Sequence, residues 1–221
     1  MEKKEIKKNV NHMSWGVIWY LVISVGLTTI CPVGYMIVEG LRMIIAEKAS
    51  EAELDAFIDT LTLDENIFGL AANIGVIIGV LFLFLYFRKT VGIRQIFESN
   101  RKMTGKSFWK ILCVFLGIQL VLELGFMMLE RGLNIIGFSL MSSMEEASMN
   151  EETFFMLLYA AVIAPVSEEL VYRGFVMSSI KKYGKVFAIV VSSVLFGVMH
   201  GNLPQALFAC MVGVVLGYVT M

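Results

Sequence analysis

Glu168, Glu169 and Arg173 stand together in the last third of the chain, and a lone histidine, His200, follows them within the same hydrophobic region. Glu169 and Arg173 are four apart, so a helix carries both on one face, where pairing offsets part of their charge and orients the guanidinium. The i+4 neighbour of Glu168 is Tyr172. This carboxylate therefore has no ionic partner on its own helix and is available as a base or a ligand. Together with an imidazole it can hold and activate one water. The two groups can act as general base and partner, or as two ligands of Zn²⁺, whose bound water becomes hydroxide near neutral pH. Hydrolysis of a peptide bond is the natural use of such a pair. Proton relay in a proton-coupled transporter is the rival chemistry for Glu and His in membrane spans. No HExxH, no GxSxG and no serine–histidine pair at a nucleophile elbow is present.

The elements that must position these groups follow from the apolar runs on either side. Thr153 to Ile180 reads as one helix bending at Pro165. Its roughly 28 residues would span about 42 Å, longer than the hydrocarbon core, so the helix must tilt or protrude. Glu168, Glu169 and Arg173 then lie well inside the span, where a charged side chain costs at least about 2.5–3.5 kcal/mol. A tight turn is expected near Tyr183. Counting outward from it, Glu168 and His200 are reached at similar depth, about 22–26 Å along two antiparallel helices. A carboxylate and an imidazole can thus face each other inside a bundle. Gly201-Asn202-Leu203-Pro204 breaks the helix after His200, and broken backbone at membrane depth must line a cavity or a protein interior. The competing reading is that the three charged residues only tie the bundle together, or that the helix ends before Glu168.

The whole chain has the composition of a membrane protein. Of 221 residues 57% are hydrophobic and only 17% charged, with mean hydropathy +0.76, against about 45–50% apolar and 25% charged in soluble domains. Six apolar segments are legible: Trp15–Val38, Asn66–Phe87, Phe108–Leu129, the run from Thr153, Val186–His200, and Gln205–Met221. The expected fold is all-α, a polytopic transmembrane bundle with about six spans. Residues 1–152 supply the N-terminal helices and loops, and 153–221 supply the part that carries the chemistry. Lys3, Lys4, Lys7 and Lys8, then Arg88 to Lys110, then Lys181, Lys182 and Lys185 alternate with the acidic loops 42–65 and 130–152. That alternation places the N-terminus in the cytoplasm of a multi-pass cell-membrane protein. A net charge of -1 offers no field for nucleic acid. A cleaved signal peptide is not expected, because the first apolar run is too long for one.

Other features read as structural. Cys31, Cys113 and Cys210 lie in apolar runs with no CxxC and are expected to be buried small hydrophobes. His12, before the first span, is expected to be exposed. Glu47–Asp59 is expected to form a short surface helix with Leu54, Phe57 and Ile58 as its apolar edge, and Glu145–Glu152 to be a solvated acidic face. Gly75 and Gly79, and Gly213 and Gly217, have the GxxxG spacing that allows close helix contact.

Glu168-Glu169-Leu170-Val171-Tyr172-Arg173 and Phe196-Gly197-Val198-Met199-His200 resemble the EExxxR and FxxxH motifs of the CAAX protease and bacteriocin-processing group of intramembrane proteases. The resemblance covers about Ala160–Met221. It implies a helical intramembrane endopeptidase acting on membrane-associated or prenylated peptides. Glu168 would be the activating or zinc-binding glutamate and His200 its histidine partner and second ligand. Glu169 and Arg173 would complete the first motif, with Phe196 and Asn202 supporting. The partners implied are the lipid bilayer and a lipidated or membrane-embedded peptide. Family members carry a further helix with HxxxN or HxxxD, so the chain is read either as part of a longer protein that continues beyond Met221 or as a short form; in both readings the family site is incomplete and the chain alone is expected to be inactive. A non-catalytic bacteriocin-immunity or interaction protein of the same fold is the alternative.

Overall fold

The computed structural model describes residues 3–47, 50–62, 65–91, 96, 104–140 and 153–221. Among the described residues the regular structure is helical, with no strand, as the apolar runs predict. Helix α1 runs from Lys3 to Arg42. It starts in the basic arm, well before the apolar run at Trp15, because Lys and Glu are good helix formers that continue the register outward. Helix α2, Glu51–Thr62, is the expected surface helix moved slightly along the chain. Its start is set by Ser50, whose backbone N–H and hydroxyl both donate to Glu53 Oε2 at 2.8 Å, a capping arrangement. Those two bonds hold the Glu53 carboxyl below its ordinary range. Leu54 and Phe57 are half-buried, whereas Ile58 is exposed.

Helix α3 is Glu65–Phe87 and α4 is Gly105–Ile135. The latter is capped by Thr104, whose hydroxyl accepts from Ser107 N at 3.2 Å. Helix α5 is the continuous run Phe154–Tyr183. Helix α6, Lys185–Val198, and helix α7, Leu203–Thr220, complete the chain. Among the described residues five helices are long and apolar enough to cross a membrane. The sixth expected span, α6, has only 14 residues, about 21 Å against a core of about 30 Å. Exposed apolar side chains such as Trp109, Leu120 and Met128 on α4 could not be tolerated in water as one continuous face. Lipid accounts for them.

The chain divides into two compact units. One comprises Ser14–Tyr86 and Asn150–Ser167. There α1 and α3 meet through the first GxxxG pair: a Cβ on Gly75 would lie 2.6 Å from Ser24 O, and one on Gly79 would lie 2.5 Å from Ser24 Oγ. Buried Asn73 donates from Nδ2 to Gly69 O at 2.8 Å and to Phe155 O at 2.9 Å. This ties α3 to the start of α5.

The other unit comprises Met1–Met13, Phe87–Met149 and Glu168–Met221. The second glycine pair works here: Cβ atoms on Gly213 and Gly217 would lie 3.0 Å from Ser193 and 3.2 Å from Ile189. Asn9 Nδ2 donates to Tyr183 Oη at 2.6 Å. His12 is not the exposed bystander its position suggests. It is half-buried, its ring set edge-on to Phe87 at 5.4 Å, and Phe87 stacks in turn on Phe175 at 5.3 Å. The cysteines also depart from expectation. Cys31 and Cys113 are exposed and Cys210 is half-buried, because apolar surface turned toward lipid needs no covering by protein. The Glu145–Glu152 segment lies outside the described residues.

Candidate functional site

The site lies where α5, α6 and α7 meet. Helix α5 is not uniformly α-helical. Tyr159–Ile163 and Glu169–Met177 have the wider i→i+5 hydrogen-bonding of a π-helix. The first π segment sits directly before Pro165, which has no N–H to give and whose ring crowds the preceding turn. The second carries Glu169 and Arg173 themselves, and π segments inside α-helices are frequent at functional sites. From Val171 to Met177 every residue is buried. A Cβ on Gly174 would lie 2.8 Å from Ile96 Cγ2, so a larger residue after Arg173 would have to displace the Ile96 side chain.

The turn from α5 to α6 falls where the apolar pattern puts it. Lys181–Tyr183 form a 3₁₀ turn, and Gly184 follows with φ 139°, a conformation that favours glycine. Ser192 Oγ on α6 donates to Tyr172 O on α5 at 2.8 Å, fully buried. That bond fixes the register of the two helices, and one turn further from the loop come Glu168 on one side and Phe196 on the other.

Phe196 is the centre of the cluster. Its ring lies 5.2 Å from the Tyr172 ring and 5.1 Å from the imidazole of His200. The Arg173 guanidinium carbon lies 4.6 Å over the same ring, a cation–π geometry. Arg173 Nε also pairs with Glu169 Oε1 at 3.3 Å, as the four-residue spacing predicts. Among the described residues the two terminal guanidinium nitrogens are buried with no hydrogen-bond partner.

His200 Nδ1 lies 2.9 Å from Phe196 O. A carbonyl oxygen only accepts, so Nδ1 carries the proton and Nε2 of the neutral ring presents a lone pair. Glu168 is half-buried and within electrostatic reach of His200, Arg173 and Glu169. The helix break after His200 is built by two residues. Gly201 adopts φ 73°, and Asn202 caps α7: its Oδ1 accepts from Gln205 N at 2.9 Å and its Nδ2 donates to Gln205 Oε1 at 2.7 Å. The structure thus gives Asn202 a local helix-starting role and holds Pro204 buried at the second helical position.

The structure brings Glu168, Glu169, Arg173, Phe196 and His200 into one cluster, with Asn202 at its edge. Residues 150–221 match the Rce1-like family model, type II CAAX prenyl endopeptidase. No curated protein and no solved structure matches the chain. The Rce1-like match coincides with the segment that holds every residue of the cluster.

A zinc ion is the cofactor that the resemblance raises. Catalytic zinc is held by three protein ligands and one open position. Among the described residues no group of three or more His, Cys, Asp or Glu side chains converges in that way. Glu168 and His200 are two donors, and Glu169 is engaged by Arg173. The described residues do not by themselves make a zinc site.

Sequence reasoning passed over Gln119 and Glu123. They lie on α4 and line a cavity of about 560 Å³ with Gln205 and Phe208 of α7. The signal was available, since Glu123 is the only charged residue between Lys110 and Glu130.

Proposed function

We propose that this protein is an intramembrane endopeptidase that hydrolyses a peptide bond of a membrane-tethered substrate with a water activated by Glu168 and His200. The observation that carries the reading is a half-buried carboxylate within electrostatic reach of an imidazole whose Nδ1–H is held by Phe196 O, so that Nε2 is the free nitrogen. Glu168 accepts one proton of the water as its oxygen bonds to the scissile carbonyl carbon. Nε2 of His200 accepts a hydrogen bond from the second water proton and orients the attack. The carbon–nitrogen bond then breaks as the proton held by Glu168 passes to the departing amine. Glu169 and Arg173 act by position, since their pair and the ring of Phe196 fix the π segment that begins directly after Glu168. The Rce1-like match supports a prenylated-cysteine peptide as the substrate class. The alternating loop charges support a cell-membrane protein with its N-terminus in the cytoplasm.

The test is cleavage of a farnesyl-cysteine peptide by the reconstituted protein. Glu168→Gln and His200→Ala should each lower the rate by ~10²–10⁴-fold, the usual range for a positioned acid–base group. Unchanged cleavage in both variants would refute the assignment.

A further inference from the structure

Between α4 and α7 lies a groove of about 560 Å³, lined by Gln119, Leu122, Glu123 and Phe126 on one wall and Gln205 and Phe208 on the other. We propose that this groove binds an extended stretch of the substrate's peptide backbone and leads it to the cluster around Glu168 and His200. The inference rests on the endopeptidase reading. Its first support is the polar content of an otherwise apolar groove. Gln119 and Glu123 are one turn apart on a single face of a membrane-spanning helix, both exposed. Glu123 lies 18 residues into α4, about 27 Å along it. An ionisable side chain at that depth is costly unless it faces protein, water or a polar partner.

The second support is continuity with the cluster. Gln205 lines the groove and is doubly hydrogen-bonded to Asn202, and Asn202 stands two residues after His200. The third is what the occupants need. A lipid acyl chain has no use for a carboxylate and two amides. A transmembrane helix satisfies its own backbone. A protease needs its substrate extended, and an extended backbone at membrane depth has N–H and C=O groups that only the protein can pair. Glu123 supplies acceptors, and the two glutamines supply acceptors and donors. The volume falls within the roughly 300–1,000 Å³ of sites that enclose small ligands.

The experiment places a photoreactive benzoylphenylalanine at Leu122, inside the groove, or at Leu120, on the same helix but off it. Both are made in the full chain with Glu168→Gln and reconstituted in phosphatidylcholine. The probe is a biotinylated farnesyl-cysteine peptide. Capture of the peptide from Leu122 and not from Leu120 is the expected result. Gln119→Leu with Glu123→Leu should raise the peptide concentration for half-maximal capture roughly tenfold, the loss of about one charged hydrogen bond. Glu123→Gln, which keeps an acceptor, should recover most of that loss and shows that the fold is intact. Capture of phosphatidylcholine alone at Leu122, equal peptide capture from both positions, or an unchanged half-maximal concentration overturns the proposal. Cleavage is assayed separately with Glu168 restored. Peptide captured in the groove but left whole refutes the endopeptidase and keeps the groove. Peptide cleaved without capture from Leu122 does the reverse.

Discussion

Replacing Glu169 by glutamine should destabilise the protein more than removing its partner Arg173. The Arg173 side chain is 4% exposed and that of Glu169 is 42% exposed. The guanidinium has one ionic partner at 3.3 Å, one aromatic face at 4.6 Å, and two terminal nitrogens without hydrogen bonds. Glu169→Gln would leave the buried cation without its ion pair, with only the longer-range field of Glu168. Breaking a fully buried pair costs about 3–5 kcal/mol. Half-exposure of Glu169 screens the pair and lowers the figure to about 1–3 kcal/mol. Arg173→Met removes the cation itself. It forfeits a cation–π contact of about 0.5–2 kcal/mol and regains about 0.3–1.5 kcal/mol from a thioether on the same ring, so its net effect stays within about 1 kcal/mol. The double variant should resemble Arg173→Met, because no charge is then left to strand. Thermal unfolding in nanodiscs reads the result. At about 2–4 °C per kcal/mol for a chain of this size, Glu169→Gln should fall by about 2–12 °C, and adding Arg173→Met should restore part of it. A double variant whose loss is the sum of the two single losses would refute the reasoning. It would mean that the guanidinium is not held by Glu169.

Three further outcomes follow from the same geometry. Gly197→Ala should cost about 1–3 kcal/mol by overpacking and lower peptide cleavage, because its Cβ would lie 2.5 Å from Ala206 O, just below His200; calorimetry with a cleavage assay checks both. Cleavage should persist in a strong chelator, since the described donors number two; loss of activity that zinc alone restores would show that a metal takes part. In a cysteine-free background, Lys4→Cys and Asn134→Cys should react with a membrane-impermeant maleimide from opposite faces. Labelling of both from the outside of intact cells would overturn the orientation read from the loops.

Much of this architecture was open to a reader of the residues alone. Long apolar runs have one solution in lipid, a helix that satisfies its own backbone, so the helical class and the long spans followed directly. The Glu169–Arg173 pair needed only the helical repeat. The common depth of Glu168 and His200 needed only a count along two helices from one tight turn, because that relation is local in the chain. Tertiary structure decided what depends on neighbours. The π segments of α5 leave no mark in the apolar pattern. Ser192 fixes the register through a single bond to Tyr172 O. The positions of His12 on Phe87, Cys31 and Cys113 at the surface, and Asn202 as a cap could not be read from residue type, because an apolar run does not say which of its faces meets lipid. The same holds for Gln119 and Glu123. Their charge and polarity were visible in the sequence, but only the approach of α7 to α4 turned them into one wall of a groove.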